Sequence, residues 1–279
     1  MSPRAERLSP ARPAAKQPAS SSSANGSGAG HMGGGRRILV VDVGGKNIKC
    51  WCSTTPERRK APSGPGLTPE VMVAAALELS AGWDYDVVSL GLPGPVRDGR
   101  VTLDPVNLGP GWVGFDLATA FGMPARVVND AAMQAVGSYA GGRMLFLGLG
   151  TGLGTTLIAD GGHVIAMELG HLPYGDKHTF EDCVGQRGLD RLGKKRWLRA
   201  VRDVATRLKA ALVADYVVLG GGNAKLLDGP GVPEGCRLGD NNLAYQGGLR
   251  LWDEGWAGAG TPRPAATTPD GAGLARAGV

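Results

Sequence analysis

The chain of 279 residues is poor in several things. Its 4 cysteines are too few for a disulfide framework at this length, so a packed core must hold the fold. No apolar run approaches the ~20 residues that a membrane-spanning helix needs, which predicts a soluble protein with no membrane partner. A strong charge imbalance is also lacking where it would matter. The formal net charge is +5, but residues 1–35 supply +3 (Arg4, Arg7, Arg12 and Lys16 against Glu6) and residues 257–279 supply +1, leaving +1 for 36–256. That near-neutral middle carries no basic footprint for nucleic acid. Glycine, by contrast, is abundant at 47 residues, far above the usual ~7%. It follows no three-residue period, which excludes a collagen-like chain.

Residues 1–35 and 258–279 are Pro, Ala, Ser and Gly with almost no large apolar side chains. Such segments cannot bury enough surface to offset chain entropy and read as disordered tails. The first lacks the apolar stretch of a secretory signal, which points to the cytoplasm. Its Gly-Ser-rich end reads as a linker, or as sequence upstream of a start at Met32. The remainder is long enough for two lobes, expected at 36–130 and 131–257, with the last helix able to pack back on the first lobe.

Within 36–256, Arg37–Val43 is an apolar strand, Gly44-Gly45 a turn and Asn47–Ser53 a returning strand. Thr68 and Pro69 open a helix to about Ser80, as N-cap and first helical residue. Asp86–Leu92 and Ala125–Asn129 read as strands, and Asp130–Ala140 as a helix. The second half repeats this grammar. Met144–Leu149 is a strand, 150–154 a glycine turn, Thr155–Asp160 and His163–Met167 further strands. Helices are expected at about 180–193 and 196–213, a strand at Tyr216–Leu219, and a last helix at Leu243–Trp252.

Three glycine turns end apolar strands: Gly44-Gly45, Gly150-Thr151-Gly152-Leu153-Gly154 and Gly220-Gly221-Gly222. Glycine there weakens a strand unless something approaches its backbone, and the missing Cβ lets a phosphate reach the amides. The second turn does not open a helix, so it lacks the strand–glycine–helix order of a Rossmann fingerprint or P-loop. Asp42 stands at the end of its strand and Asp130 where a strand meets a helix. The plain reading of Asp130 is an N-cap; the functional one is a general base facing a cleft. Glu168 and His171 bring an acid and an imidazole together, but His178 and Cys183 are poorly spaced for metal. Cys50 and Cys52 share one strand face and read as packing.

In order, Asp42-Val-Gly-Gly45, Gly91-Leu-Pro-Gly-Pro95, Asn107 before Gly111-Trp112, Asn129-Asp130-Ala131, Leu149–Gly154, Glu168-Leu-Gly-His171 and Gly220–Gly222 resemble the ROK sugar kinases, most of all the polyphosphate glucokinase branch. The resemblance spans about 38–252. It implies an α/β, two-lobed, actin-like ATPase (ribonuclease H-like) fold with a central sugar and phosphate cleft. On that resemblance Asp130 is the catalytic base. Asn107, Asn129, Glu168, His171 and Glu181 bind the hexose. Asp42, Gly44, Gly45, Lys46, Gly150, Thr151 and Gly152 serve the donor phosphates, and Gly220, Gly221 and Gly222 lie under the nucleotide if a nucleotide is used. It also implies Mg²⁺, with Asp42 orienting it through water rather than as a direct structural ligand, ATP or polyphosphate as donor, a hexose substrate, and a homodimer.

Two departures matter. Lys46 stands where the family usually has Thr or Ser, so an ammonium replaces a hydroxyl beside the donor. The family's zinc element is missing between His171 and Glu181, as in the polyphosphate branch, so no structural zinc is expected. The expected activity is phosphoryl transfer to the 6-hydroxyl of glucose or a similar hexose. Two rivals are a catalytically weak sugar sensor of the same fold and an actin-like ATPase, which has no use for the sugar set. Arg187, Arg191, Lys194, Lys195, Arg196 and Arg199 form a basic run that reads equally as a solvated helix face or a polyphosphate groove.

Overall fold

The computed structural model describes residues 35–227, 231–240, 242–256 and 260; apart from Gly35 and Gly260, the two expected tails lie outside this set. The chain runs β1 (Ile38–Val43), β2 (Asn47–Cys52), β3 (Thr55–Pro62), α1 (Pro69–Leu79), β4 (Val87–Leu92), β5 (Val96–Arg97), β6 (Arg100–Val101), α2 (Leu117–Phe121) and β7 (Ala125–Asn129). It continues through α3 (Asp130–Ser138), β8 (Met144–Leu149), β9 (Leu153–Ala159), β10 (His163–Met167), α4 (Phe180–Val184), α5 (Gln186–Leu192), α6 (Lys194–Ala211), β11 (Tyr216–Gly220), β12 (Cys236–Leu238) and α7 (Leu243–Arg250).

The same sheet is built twice. Its strand order is β3-β2-β1-β4-β7 in the first half and β10-β9-β8-β11-β12 in the second. In each, the first three strands in sequence pair antiparallel and the next two add in parallel. The parallel strands β1, β4, β8 and β11 are almost wholly buried, as strands covered on both faces must be.

Helix α1 starts where the sequence predicts: the Thr68 hydroxyl accepts from the Val71 amide and Pro69 needs no amide partner. Its buried Met72, Val73 and Ala76 close one face of the first sheet together with Trp112 and Phe121. On the second sheet the equivalent face is closed by α6, through Trp197, Val201, Val204 and Leu208. A third core fills the space between the sheets. There Val40, Trp51 and Val128 meet Met133, Phe146, Val218 and Leu243, so α3 and α7 pack against both sheets. The two helices touch backbone to backbone. A Cβ on Gly247 would stand 1.8 Å from the Met133 carbonyl oxygen, and one on Gly137 2.0 Å from that of Leu243, so only glycine permits this approach. The buried Ser89 hydroxyl donates to the Gly248 carbonyl at 2.6 Å and ties α7 to β4.

Several elements differ from expectation. The helix expected over 180–193 breaks at Gly185, where a Cβ would lie 2.7 Å from the Thr151 carbonyl oxygen; the second glycine turn needs that space. Strand β3 was not foreseen because Thr-Pro-Glu-Arg-Arg-Lys-Ala-Pro is a polar edge strand with no fully buried position. α2 and β12 are too short to leave a periodic signal. No helix among the described residues is long and apolar enough to cross a membrane.

Candidate active site

The site is assembled from strand ends and the turns that follow them. At the junction of β7 and α3, the N-cap is Asn129 rather than Asp130. The Asn129 Oδ1 accepts from the amides of Ala131 at 2.9 Å and Ala132 at 3.2 Å, while its Nδ2 donates to the Gly94 carbonyl at 2.9 Å. Capping is thereby satisfied by the neighbour. Asp130 uses one oxygen, accepting from the Ala131 amide at 2.8 Å, and its other oxygen has no hydrogen bond among the described residues. Its carboxyl is pushed up to about 7, chiefly by burial and then by the nearby charge of Asp42, with Glu168 adding to the effect; the Ala131 amide and Lys49 oppose it.

Asp42, at the end of β1, is buried and paired with Lys49 Nζ at 3.0 Å. The two residues lie directly opposite each other across β1 and β2. Lys49 was not among the expected site residues, although its alternation with Ile48 and Cys50 already turned it to the face opposite theirs. Beyond β1, Gly44, Gly45 and Lys46 form the turn. Neither glycine has a left-handed φ, so the turn itself does not demand glycine. A Cβ on Gly45 would meet Asn107 at 3.5 Å, which brings the exposed Asn107 beside the first glycine turn. Asp104 fixes that loop by accepting from the amides of Gly111, Trp112 and Val113.

The second turn, Gly150-Thr151-Gly152, is stapled from outside. The Gln186 amide donates to Gly150 at 3.0 Å, and Asn223 Nδ2 donates to the same carbonyl at 3.3 Å. A Cβ on Gly150 or Gly222 would meet no atom within 4 Å, and neither has a left-handed φ. Gly221 is different: its φ is +82° and a Cβ would strike the Leu149 backbone at 2.6–2.7 Å. Glycine is thus structural at 221, whereas at 150 and 222 nothing in the turn demands it and its small size leaves room for a ligand to approach the backbone, although the Gly150 amide itself donates to the Gly152 carbonyl at 3.2 Å.

Glu168 and His171 are exposed after β10, and Glu181 is half-buried in α4. The Thr155 hydroxyl fixes the approach to Glu168 by donating to the Met167 carbonyl at 2.6 Å and accepting from the Leu169 amide at 3.1 Å. Gly170 lies against Glu181, with a virtual Cβ at 3.4 Å from that side chain's own Cβ. Glu168 is raised, first by desolvation and further by Glu181, while His171 works against this. Thr155 was missed in the sequence because its role depends on two backbone groups brought to it by β10.

Asp42, at the end of β1 before the first turn, is a carboxylate of the kind a magnesium ion uses, the ion completing its shell from water and substrate phosphates. Among the described residues no three His, Cys, Asp or Glu side chains are grouped as a metal site. Between His178 and Cys183 stands Arg191, which contacts both. Cys50 and Cys52 are buried, and burial pushes the Cys50 thiol up to about 12.

Two sheets of identical order, each with a glycine turn after its first strand, facing each other across two shared helices, define the architecture. Among solved structures, the inorganic polyphosphate/ATP-glucomannokinase of Arthrobacter sp. strain KM matches with a TM-score of 0.66 at 23% identity, covering 77% of this chain and 97% of that one. A ROK family glucokinase of Streptomyces griseus, solved with glucose and AMPPNP, matches with a TM-score of 0.59 at 18% identity, covering 77% and 98%. The fold is that of the ROK sugar kinases. It is the two-lobed actin-like ATPase fold that the motifs implied. In sequence, a polyphosphate glucokinase of Mycobacterium tuberculosis (strain CDC 1551 / Oshkosh) is 24% identical over 213 residues, 69% of this chain and 80% of the relative. No protein-family model matches the chain. In this ROK fold the expected sugar residues and phosphate turns come from both sheets, while the basic run on α5 and α6 does not line the cavity beside Gly220–Gly222. Arg187 instead pairs with Glu181 and Asp182 at 3.6 and 3.5 Å.

Proposed function

We propose that the protein is a hexose kinase that transfers a phosphoryl group from ATP or inorganic polyphosphate to the 6-hydroxyl of glucose or a similar sugar. The observation that carries this reading is Asp130: one carboxylate oxygen without a partner among the described residues, at the head of a capped helix, with its carboxyl pushed up to about 7. A base tuned near neutrality combines a useful deprotonated fraction with real proton affinity. Names borne by the relatives, polyphosphate glucokinase and inorganic polyphosphate/ATP-glucomannokinase, support the same substrates.

In this mechanism Asn107, Asn129, Glu168, His171 and Glu181 hold the sugar hydroxyls. Asn129 does so with what its capping role leaves free. Asp130 accepts the proton of the 6-hydroxyl as that oxygen bonds to the terminal phosphorus of the donor. The bond from that phosphorus to the bridging oxygen breaks, and its electron pair leaves with the shortened donor. Lys46 and the backbone of the turns at Gly44, Gly45, Gly150, Thr151, Gly152 and Gly222 surround the transferred group and stabilise its charge, the Gly44 and Gly150 amides being already engaged by the Asn47 and Gly152 carbonyls at 2.9 and 3.2 Å. Magnesium, when bound, would add neutralising charge on the donor phosphates, with Asp42 holding it through water. Closing the lobes, 36–130 on 131–257, excludes water as a competing acceptor. The family resemblance extends the proposal to a cytoplasmic homodimer.

A coupled assay for hexose 6-phosphate, run with glucose and each donor in turn, tests this. Production of the ester by the wild type, and its loss in Asp130→Asn, is expected. Absence of product with both donors would sink the reading.

A further inference from the structure

Three of the residues assigned to the hexose lie on either side of one loop. Glu168 and His171 precede it, and Glu181 follows it in α4. The loop runs out and back on itself. Pro173 and Thr179 form an antiparallel bridge, the Phe180 amide donates to the Leu172 carbonyl at 3.0 Å, and the Tyr174 amide donates to that of His178 at 2.6 Å. From Leu172 to Thr179 only Tyr174 and Thr179 are even half-buried. Burial therefore cannot fix the course of this segment, and polar contacts must.

Arg191, near the end of α5, supplies such a contact. Its Nη1 lies 2.6 Å from His178 Nε2, while Nη2 donates to the Asp182 carbonyl at 2.8 Å and to Cys183 Sγ at 3.6 Å. A guanidinium can only donate, so His178 Nε2 is the acceptor and the imidazole is neutral, with its proton on Nδ1. One side chain thus ties the return arm of the loop to both α4 and α5, beside Glu181. The elbow between those helices is braced separately. The Gln186 amide donates to the Gly150 and Thr151 carbonyls at 3.0 and 3.2 Å, and Glu181 Oε2 stands 2.5 Å from where a Cβ on Gly152 would be. None of these contacts passes through Arg191, so the second glycine turn keeps its support without it. Arg196 is a useful contrast: equally exposed, it donates through Nε to the nearby Leu192 carbonyl. An exposed arginine adds little to global stability, so the work of Arg191 is local.

We propose that Arg191 is a positioning residue for hexose binding: through His178 it holds the return arm of the loop, and thereby the place of His171 against Glu181. The inference rests on the reading of the protein as a hexose kinase.

On the full chain, calorimetry with glucose alone reads hexose affinity without turnover, and steady-state kinetics separates KM from kcat. Arg191→Ala should weaken glucose binding and raise the glucose KM about tenfold. Its kcat at saturating glucose and its donor KM should stay within about twofold of wild type, and its melting temperature within about 3 °C. His178→Ala should give the same change, and the double variant no more than either single one. His178→Gln keeps an acceptor for the guanidinium and should retain most of the glucose affinity. Arg191→Lys should not, because an ammonium cannot span the His178 and Asp182 acceptors as the planar fork does. Arg196→Ala should match wild type. Unchanged glucose affinity in Arg191→Ala overturns the proposal, and so do additive losses in the double variant. A loss shared alike by glucose KM, donor KM and melting temperature also overturns it, since Arg191 would then serve the fold alone. Glucose binding that depends on Arg191 without any ester formed sinks the kinase reading and leaves the positioning role. Ester formed with a glucose KM indifferent to Arg191 sinks the positioning role and leaves the kinase.

Discussion

The two sheets share strand order, pairing and a glycine turn after the first strand, yet their outer hairpins carry opposite chemistry. In the first, β2 and β3 present Lys49, Arg58 and Lys60 toward the cavity. In the second, β9 and β10 lead through the Thr155 hydroxyl into Glu168 and His171, beside Glu181. One framework thus gives a cationic half and a half rich in carboxylates. Both sheets carry a glycine turn after their first strand, so the proposed phosphate and sugar contacts draw on both halves. Asp130 stands where they meet, because α3 follows the last strand of the first sheet and packs on both.

The largest expected effect removes the point of convergence. Asp130→Asn keeps the cleft's shape but cannot accept a proton, and kcat should fall ~10²–10⁴-fold, with little change in sugar affinity measured by calorimetry. Near-normal turnover would reduce Asp130 to a helix-start residue. The next pair of variants tests whether the halves are separable. Lys46→Ala should raise the donor KM or lower kcat about ten- to a hundredfold, as the loss of a charge-assisted contact worth ~1.5–3 kcal/mol implies. Its sugar KM should hardly move, and Lys46→Thr should keep much of the activity. Glu168→Gln should do the reverse, raising the glucose KM about tenfold while sparing the donor KM. Steady-state kinetics that show both parameters moving together in both variants would break the division.

The raised carboxyl of Asp130 gives two pH predictions. As a base it must be ionised, so kcat/KM should fall about tenfold per unit as pH drops below about 7. Stability should run the other way. A carboxyl whose folded value lies above its unfolded value near ~3.9 stabilises the fold at low pH, and that contribution is lost as pH rises through about 7. Asp130→Asn should therefore melt above wild type at pH 8 and match it below about pH 4. The smallest change concerns the shared helices. Gly247→Ala places a methyl 1.8 Å from the Met133 carbonyl oxygen, and overpacking of this kind typically costs ~1–3 kcal/mol; calorimetric melting would register it as a loss of several degrees.

Much of this was legible in the residues. Apolar strands broken by glycine, the Thr68-Pro69 helix start and the repeated strand–turn–strand grammar are local signals, because each depends on neighbours within a few positions. The motif order carried the ROK fold, and it singled out Asp130 as the candidate base. What escaped was non-local or polar. Strand β3 has no buried face to mark it, and the break at Gly185 exists only because Thr151 packs there. Asn129 as the true cap was hidden by an Asp at the next position that caps equally well on paper.

Sequence alone therefore determined the periodic elements, the glycine turns and the residue types available for acid, base and phosphate contacts. Tertiary structure decided which of them meet. Lys49 became the partner of Asp42 through strand register, and Lys60 was set against Lys49 by the next pairing. Asp130 acquired its proton affinity from burial beside Asp42 and Glu168. Register and burial are properties of packed neighbours far apart in the chain, and desolvation raises a carboxyl's proton affinity only once those neighbours have excluded water.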